Sequence, residues 1–224
     1  MRRPSEASDT REVRTKRGDL SKGEQTRRAI ISSALTVVSD VGYEGLSIGE
    51  LAKKTKMSKS GLFAHFKSKE ALQLGVIQEV IDRFTLRVVQ PALAAPRGEP
   101  RLRVLFEKKL EWVRGQQELR GCLLQKGSLE YHNRIGHPVR KCLVNAFQDW
   151  RDLVMRCTQA AITEGQFRAD LDPGQFVYEF DGIAMMYEQS QGLMRDPNAG
   201  ARAGIAFESL LDRSRRSARP RPAN

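Results

Sequence analysis

The sequence predicts an all-α protein: an N-terminal three-helix helix-turn-helix domain followed by a larger helical domain. Three observations carry that expectation. Apolar residues recur at helical period, as in Ile30, Ile31, Ala34, Leu35 and Val38, and nowhere do they alternate with the period of two that a strand needs. Helix punctuation is explicit: Ser47 stands three residues before Glu50, the capping-box spacing, and Asp172-Pro173 places a cap before a proline at the first helical position. Finally, 224 residues with 40% apolar content suffice for a small domain plus a larger one with its own core.

Residues 1–21 are polar and charged, with almost nothing apolar, and are expected to form a disordered basic tail. A first helix is predicted from Lys22 to Val41, opened by Ser21 or Lys22 and closed by Gly42. Two short helices then follow over about 47–66. In the first, Ile48, Leu51 and Ala52 share one face, and the pattern breaks at Thr55-Lys56-Met57. Ser58 caps the second, which turns Leu62 and Phe66 inward and sets Lys59, Ser60, Phe63 and His65 on another face. Two helices of this size joined by three or four residues form a helix-turn-helix, and the second has the width of a DNA major groove. A lysine at the start of that helix can bond guanine O6 and N7, and an aromatic ring can touch a thymine methyl. Gly61 there leaves room for close backbone approach.

A long helix is predicted from Glu70 to Val89, ended or kinked by Pro91, Pro96 and Pro100. Further helices are read at 101–117, from about 121 to 131, from Pro138 to near Gly165, at 172–194 and at 199–211. The helical effector-binding and dimerisation domain is therefore placed at 73–212, and residues 213–224 at a disordered Arg/Pro tail.

The net charge of +11, with a pI near 9.9, points to a polyanionic partner such as nucleic acid. No apolar run approaches the roughly 18 residues needed to cross a bilayer, and the N-terminus lacks the apolar core of a signal peptide, so a cytoplasmic protein is expected. Cys122, Cys142 and Cys157 are too few and too scattered for a disulfide framework or a zinc site and read as small apolar fillers. His132 and His137 fall in a loop without ligand spacing, so no metal and no cofactor are expected. Neither a phosphate-cradling glycine loop nor a nucleophile elbow is present, which argues against an enzyme.

The stretch GYEGLSIGELAKKTKMSKSGLFAHFKSKEAL, residues 42–72, resembles the DNA-binding domain of TetR-type transcriptional regulators. The resemblance is specific over about 22–72. It departs at Thr55-Lys56, where the family has Ala-Gly, and at Phe63, where the family has Tyr. It implies that Ser47, His65 and Lys69 meet phosphates, which position a protein without reading sequence. Lys59, Ser60 and Gly61 then lie at the end that enters the groove, with Phe63 beside them. It further implies a homodimer, paired through the helices at 172–194 and 199–211, that binds a palindromic operator in double-stranded DNA. A small apolar or amphipathic effector in the large domain would shift the helix beginning at Glu70 and release the DNA. The residues of the second half expected to line such a pocket are Trp112, Gln125, Phe147, Trp150, Phe180, Met185 and Tyr187. The competing readings are a regulator without a small-molecule ligand and an α-helical enzyme with the helix-turn-helix as scaffold.

Overall fold

The computed structural model describes residues 21–115 and 122–215. Among the described residues ten α-helices follow one another: α1 (Lys22–Gly45), α2 (Ile48–Thr55), α3 (Lys59–His65), α4 (Lys69–Phe84), α5 (Gln90–Ala94), α6 (Glu99–Gly115), α7 (Leu123–Glu130), α8 (Pro138–Thr163), α9 (Pro173–Gly192) and α10 (Ala199–Ser214). Among the described residues the only strand-like pairing is a single antiparallel bridge between Phe167 and Arg215.

The punctuation read from the sequence is visible in hydrogen bonds. Ser21 and Glu24 form a complete capping box at the start of α1. The hydroxyls of Ser47, Ser58 and Ser68 accept from the N–H groups of Glu50, Gly61 and Ala71, each at 3.0 Å, and so open α2, α3 and α4. Gly42, at φ 77°, breaks α1 where a closing glycine was expected, and a last turn of α1 continues beyond the kink.

At Pro91 the structure differs from the expectation. Pro91 does not end the helix that begins at α4. A π-helical turn, Thr85–Val89, joins α4 to α5, and the Gln90 N–H bonds back to the Thr85 carbonyl five residues earlier. The wider turn accepts a proline that an uninterrupted α-helix would set against the carbonyl four residues before it. The chain leaves helix only at Ala95, whose extended backbone (ψ 156°) is the conformation a following proline demands.

The core is continuous from end to end. Ile30, Leu35, Leu51, Leu62, Phe66 and Leu72 enclose the N-terminal unit, and Val76, Ile77, Val80 and Phe84 carry the packing along α4 into the larger part. There Phe84 meets Trp112 and Trp150 edge-on, with ring centroids 5.5 and 5.2 Å apart, and Phe106 stacks on Phe207 at 3.9 Å. The start of the predicted C-terminal tail is ordered. Arg213 and Ser214 belong to α10, and Arg215 donates to the Glu99 carboxylate at 2.5 and 3.0 Å. Glu99 also accepts from Arg103, whose guanidinium forks onto Glu208, so the end of the last helix is tied to the start of α6. The expectations for residues 1–20 and 216–224 lie outside the described residues.

Candidate nucleic-acid interface and the cavity behind it

The turn between α2 and α3 is built on Lys56, the C-cap of α2, at φ 55° and ψ 30°. A lysine in this left-handed region costs about 1 kcal/mol relative to glycine, and the geometry is kept regardless. The turn then presents α3. Leu62 is fully buried and Phe66 nearly so, which turns Lys59, Ser60 and Phe63 into solvent. Phe63 leaves 48% of its surface exposed, a large apolar ring half in solvent. Lys59 on α3 is exposed, as are Lys56 in the turn before it and Lys67 just after it, so α3 is flanked by cations.

The other expected contact residues are placed with specific neighbours. Ser47 is half-buried, and its hydroxyl, already accepting from Glu50, keeps an O–H to donate. The Lys59 side chain lies across Gly49 on the first turn of α2, so the starts of α2 and α3 come together. The Ser60 hydroxyl pairs with Ser58 at 3.0 Å. A Cβ at Gly61 would meet Ser58 Oγ at 3.2 Å, so the missing side chain there relieves the turn itself. His65 is half-buried, and its carbonyl accepts from Arg27, which also lies 4.2 Å over the Phe66 ring. The Lys69 ammonium donates to the Glu44 carbonyl at 2.5 Å and lies 3.7 Å from that residue's carboxylate. Two of its three N–H donors remain for a phosphate.

Behind this unit the larger part holds a cavity of about 780 Å³, open to solvent on one side, between α4, the π-helical turn, α5, α6, α7 and α8. Of the residues expected to line a pocket, Gln125, Phe147 and Trp150 do so. Trp112, Phe180, Met185 and Tyr187 stand elsewhere. Trp112 and Phe180 are consumed by the aromatic core, and Tyr187 is 2% exposed on the inner face of α9. The Trp112 indole N–H and the Tyr187 hydroxyl find no hydrogen-bond partner among the described residues. Met185 is 55% exposed, because its neighbour Ala184 holds the inner face of α9 and each helical step turns the side chain by about 100°. It joins Tyr178, Met186, Leu193, Met194 and Ile205 as large apolar side chains left in solvent on or beside α9 and α10.

Two features of this region have no short-range signature in the sequence. All three cysteines line the cavity. Burial pushes the thiols of Cys142 and Cys157 up, so they stand in the wall as neutral, polarisable groups. The second feature is a polar latch between α7 and the end of α1. The Glu130 carboxylate accepts from the backbone N–H groups of Tyr43 (3.1 Å) and Glu44 (2.9 Å). Lys126 donates to the Ser39 carbonyl at 2.8 Å, Gln73 to the Tyr43 carbonyl at 2.8 Å, and the Tyr131 hydroxyl to the Glu44 carboxylate. With Arg134 3.0 Å away and Lys69 beside it, Glu44 is held well below the usual carboxylate range, first by the Tyr131 bond. A Cβ at Gly42 would lie 2.6 Å from Glu130 Oε1, so glycine is required there by space as well as by φ. The helix from Glu70 thus links the two halves, and α7 links them as well. Its first turn carries the cavity residues Leu124 and Gln125 and its last turn holds α1.

A family model described as "Bacterial regulatory proteins, tetR family" matches residues 30–76, and one described as "Tetracyclin repressor-like, C-terminal domain" matches residues 98–207. The HTH-type transcriptional repressor DhaR of Mycobacterium sp. (strain GP1) is 27% identical over 149 residues, 66% of this chain and 72% of that protein. The uncharacterised HTH-type regulator YuxN of Bacillus subtilis is 30% identical over 128 residues, 55% of this chain, and the match spans only 43% of YuxN. A TetR transcriptional regulator from Chloroflexus aurantiacus has the same fold, with a TM-score of 0.72 over 86% of this chain and 96% of that one at 20% identity. With the helix-turn-helix and the larger helical domain each matched in turn, the chain belongs to the TetR family of bacterial transcriptional regulators.

Proposed function

We propose that the protein is a homodimeric cytoplasmic repressor that holds a palindromic operator and leaves it when a small amphipathic effector fills the cavity. The observation that carries the reading is the shared wall. Of the elements enclosing the cavity, α4 and α7 also grip the helix-turn-helix unit, α4 by chain continuity and α7 through Glu130, Lys126 and Tyr131. A ligand that prefers one spacing of these helices biases the other site, and only that difference in affinity moves the equilibrium.

In the bound state α3 enters the major groove. Lys59 and Phe63 meet base edges, while Ser47, His65 and Lys69 meet phosphates. The exposed apolar residues of α9 and α10 supply the face for a second copy, which sets two copies of α3 about one DNA turn (34–36 Å) or a multiple apart. Selection from random duplexes should return an inverted repeat. Lys59→Ala should cost about 1–3 kcal/mol on that site and relax preference at one position, the size of one lost base contact. Recovery of only weak, sequence-independent binding would overturn the reading.

A further inference from the structure

The cavity has an apolar body, and three of the four cations in its wall gather at one end. Arg97, Arg101 and Arg156 belong to the wall together with Gly98, Cys157 and Ala160, at the end away from the helix-turn-helix unit. Ile81, Phe84, Leu93, Leu124, Phe147 and Trp150 form the body. Against three guanidinium groups stands one carboxylate, Glu164, which lies 3.5 Å from Arg97. The acidic residue of the wall itself, Asp149, is exposed on α8 nearly two turns before Arg156.

The arginine end is a built structure. The Arg101 guanidinium is fixed by neutral acceptors, its Nη2 donating to the carbonyls of Leu93 (3.1 Å) and Ala95 (2.9 Å) and its Nε to Ala95 (3.3 Å), so its charge meets no carboxylate among the described residues and its Nη1 remains to donate. Gln166 fixes the loop that carries Arg97. Its side-chain oxygen accepts from the Glu99 N–H at 2.6 Å and its amide donates to the Arg97 carbonyl. Gly98 at φ 83° is the residue this packing requires, because a Cβ there would overlap the Gln166 side chain. Arg156 has no ion pair among the described residues and is exposed at the rim. The fourth cation of the wall, Lys109, is engaged otherwise. It lies 5.1 Å over the Phe84 ring and 5.8 Å over Trp150, and it stabilises the buried carboxylates of Asp181 and Glu188. Its charge is therefore answered from within the protein, whereas the charges of Arg101 and Arg156 are not.

We infer that the effector is an amphipathic organic anion, with its carboxylate or phosphate held by Arg101 and Arg156 beside Arg97 and its apolar body along Phe84, Phe147 and Trp150. This rests on the reading of the cavity as the effector site. Guanidinium groups form the planar, bidentate bonds that carboxylates and phosphates accept, and a cluster short of carboxylates is stabilised by taking one in. The volume lies within the range of about 300–1,000 Å³ usual for small-molecule sites.

The test is a charge series on one apolar body, titrated calorimetrically into the full-length protein: decanoate, decyl phosphate, decan-1-ol and decyltrimethylammonium. The two anions should bind about ten- to a hundredfold more tightly than the alcohol, the range for charge-assisted hydrogen bonds, and the cation more weakly than the alcohol. Tighter binding of the phosphate identifies a phosphorylated headgroup, and tighter binding of decanoate a free acid. Arg156→Gln, at an exposed position, should lower affinity for the anions about tenfold and leave the alcohol and the thermal melt unchanged. An alcohol that binds as tightly as the anions, or an R156Q effect equal across the series, overturns the inference while the effector reading stands. Binding by none of the four overturns both.

Discussion

Replacing Glu130 by alanine tests whether α7 couples the two halves of the molecule. The carboxylate accepts two backbone N–H groups across a kink that nothing else on α1 can satisfy, at 3.1 and 2.9 Å. Hydrogen bonds to a charged acceptor contribute about 1.5–3 kcal/mol each when dry. The Glu44 N–H is open to water and recovers a partner, whereas Tyr43 is fully buried and its N–H does so only in part. The net loss should therefore be about 2 kcal/mol, near one full bond. For a chain of this size that lowers Tm by about 4–8 °C. Glu130→Gln keeps one acceptor oxygen and should fall between. Leu129→Ala, on the same helix but 71% exposed, should change nothing. The decisive readout is the ratio of effector affinities with and without operator DNA, which should shrink in Glu130→Ala even at temperatures where the protein is folded. A Tm equal to the parent's, together with an unchanged ratio, would refute a coupling role for α7 and leave α4 as the only lever.

Three further outcomes follow from the same structure. Lys56→Gly, at φ 55°, should raise stability by about 1 kcal/mol in a denaturant titration, and a decrease would mean that the lysine side chain makes a compensating contact. Phe147→Ala should weaken effector binding with little loss of stability because it borders empty space. Trp150→Ala should also cost about 3–5 kcal/mol, since its indole donates to Asp181 at 2.9 Å and packs on Phe84. Equal melts for the two would contradict this division. The Glu99 carboxyl is held below its ordinary value of 4.5 by hydrogen bonds first from Arg215 and then from Arg103, so its contribution is present above that value and is lost as pH falls through the lowered one. Glu99→Gln should therefore flatten the acid limb of a stability-versus-pH curve, with little change in the slope near neutrality. An unaltered acid limb would show that the Arg215 tie contributes nothing.

Local chemistry was legible in the sequence and long-range geometry was not. Caps at Ser21, Ser47, Ser58 and Asp172 mark helix starts through residues two to four positions away and are seen as hydrogen bonds, while Gly42 marks a kink in α1 and not its end. The π-helical turn was hidden because it depends on how the core receives Val88 and the cavity wall Val89, whereas Pro91 alone reads as a stop. Periodicity distinguishes the inner face of a helix from the outer one. It does not say whether the inner face meets side chains or empty space. Trp112 and Trp150 therefore look alike in sequence although only the second borders the cavity. Glu130 resembles any exposed helical glutamate, since its partners lie 86 and 87 residues earlier. The three cysteines, distant in sequence, converge only in the folded chain.

The π-helical turn sets a limit on how the chain can change in length. One surplus residue in Thr85–Val89 carries the helix past Pro91, and every later side chain of α5 owes its direction to that surplus. Deleting any one of these five would restore ordinary helical phase and rotate Ala92 and Leu93 by about 100°. Leu93 would leave the cavity wall, Ala92 would leave the core, and Pro91 would be pressed against the carbonyl behind it. Substitutions along this segment alter the lining of the cavity one side chain at a time, whereas a single-codon deletion would dismantle that side of it at once.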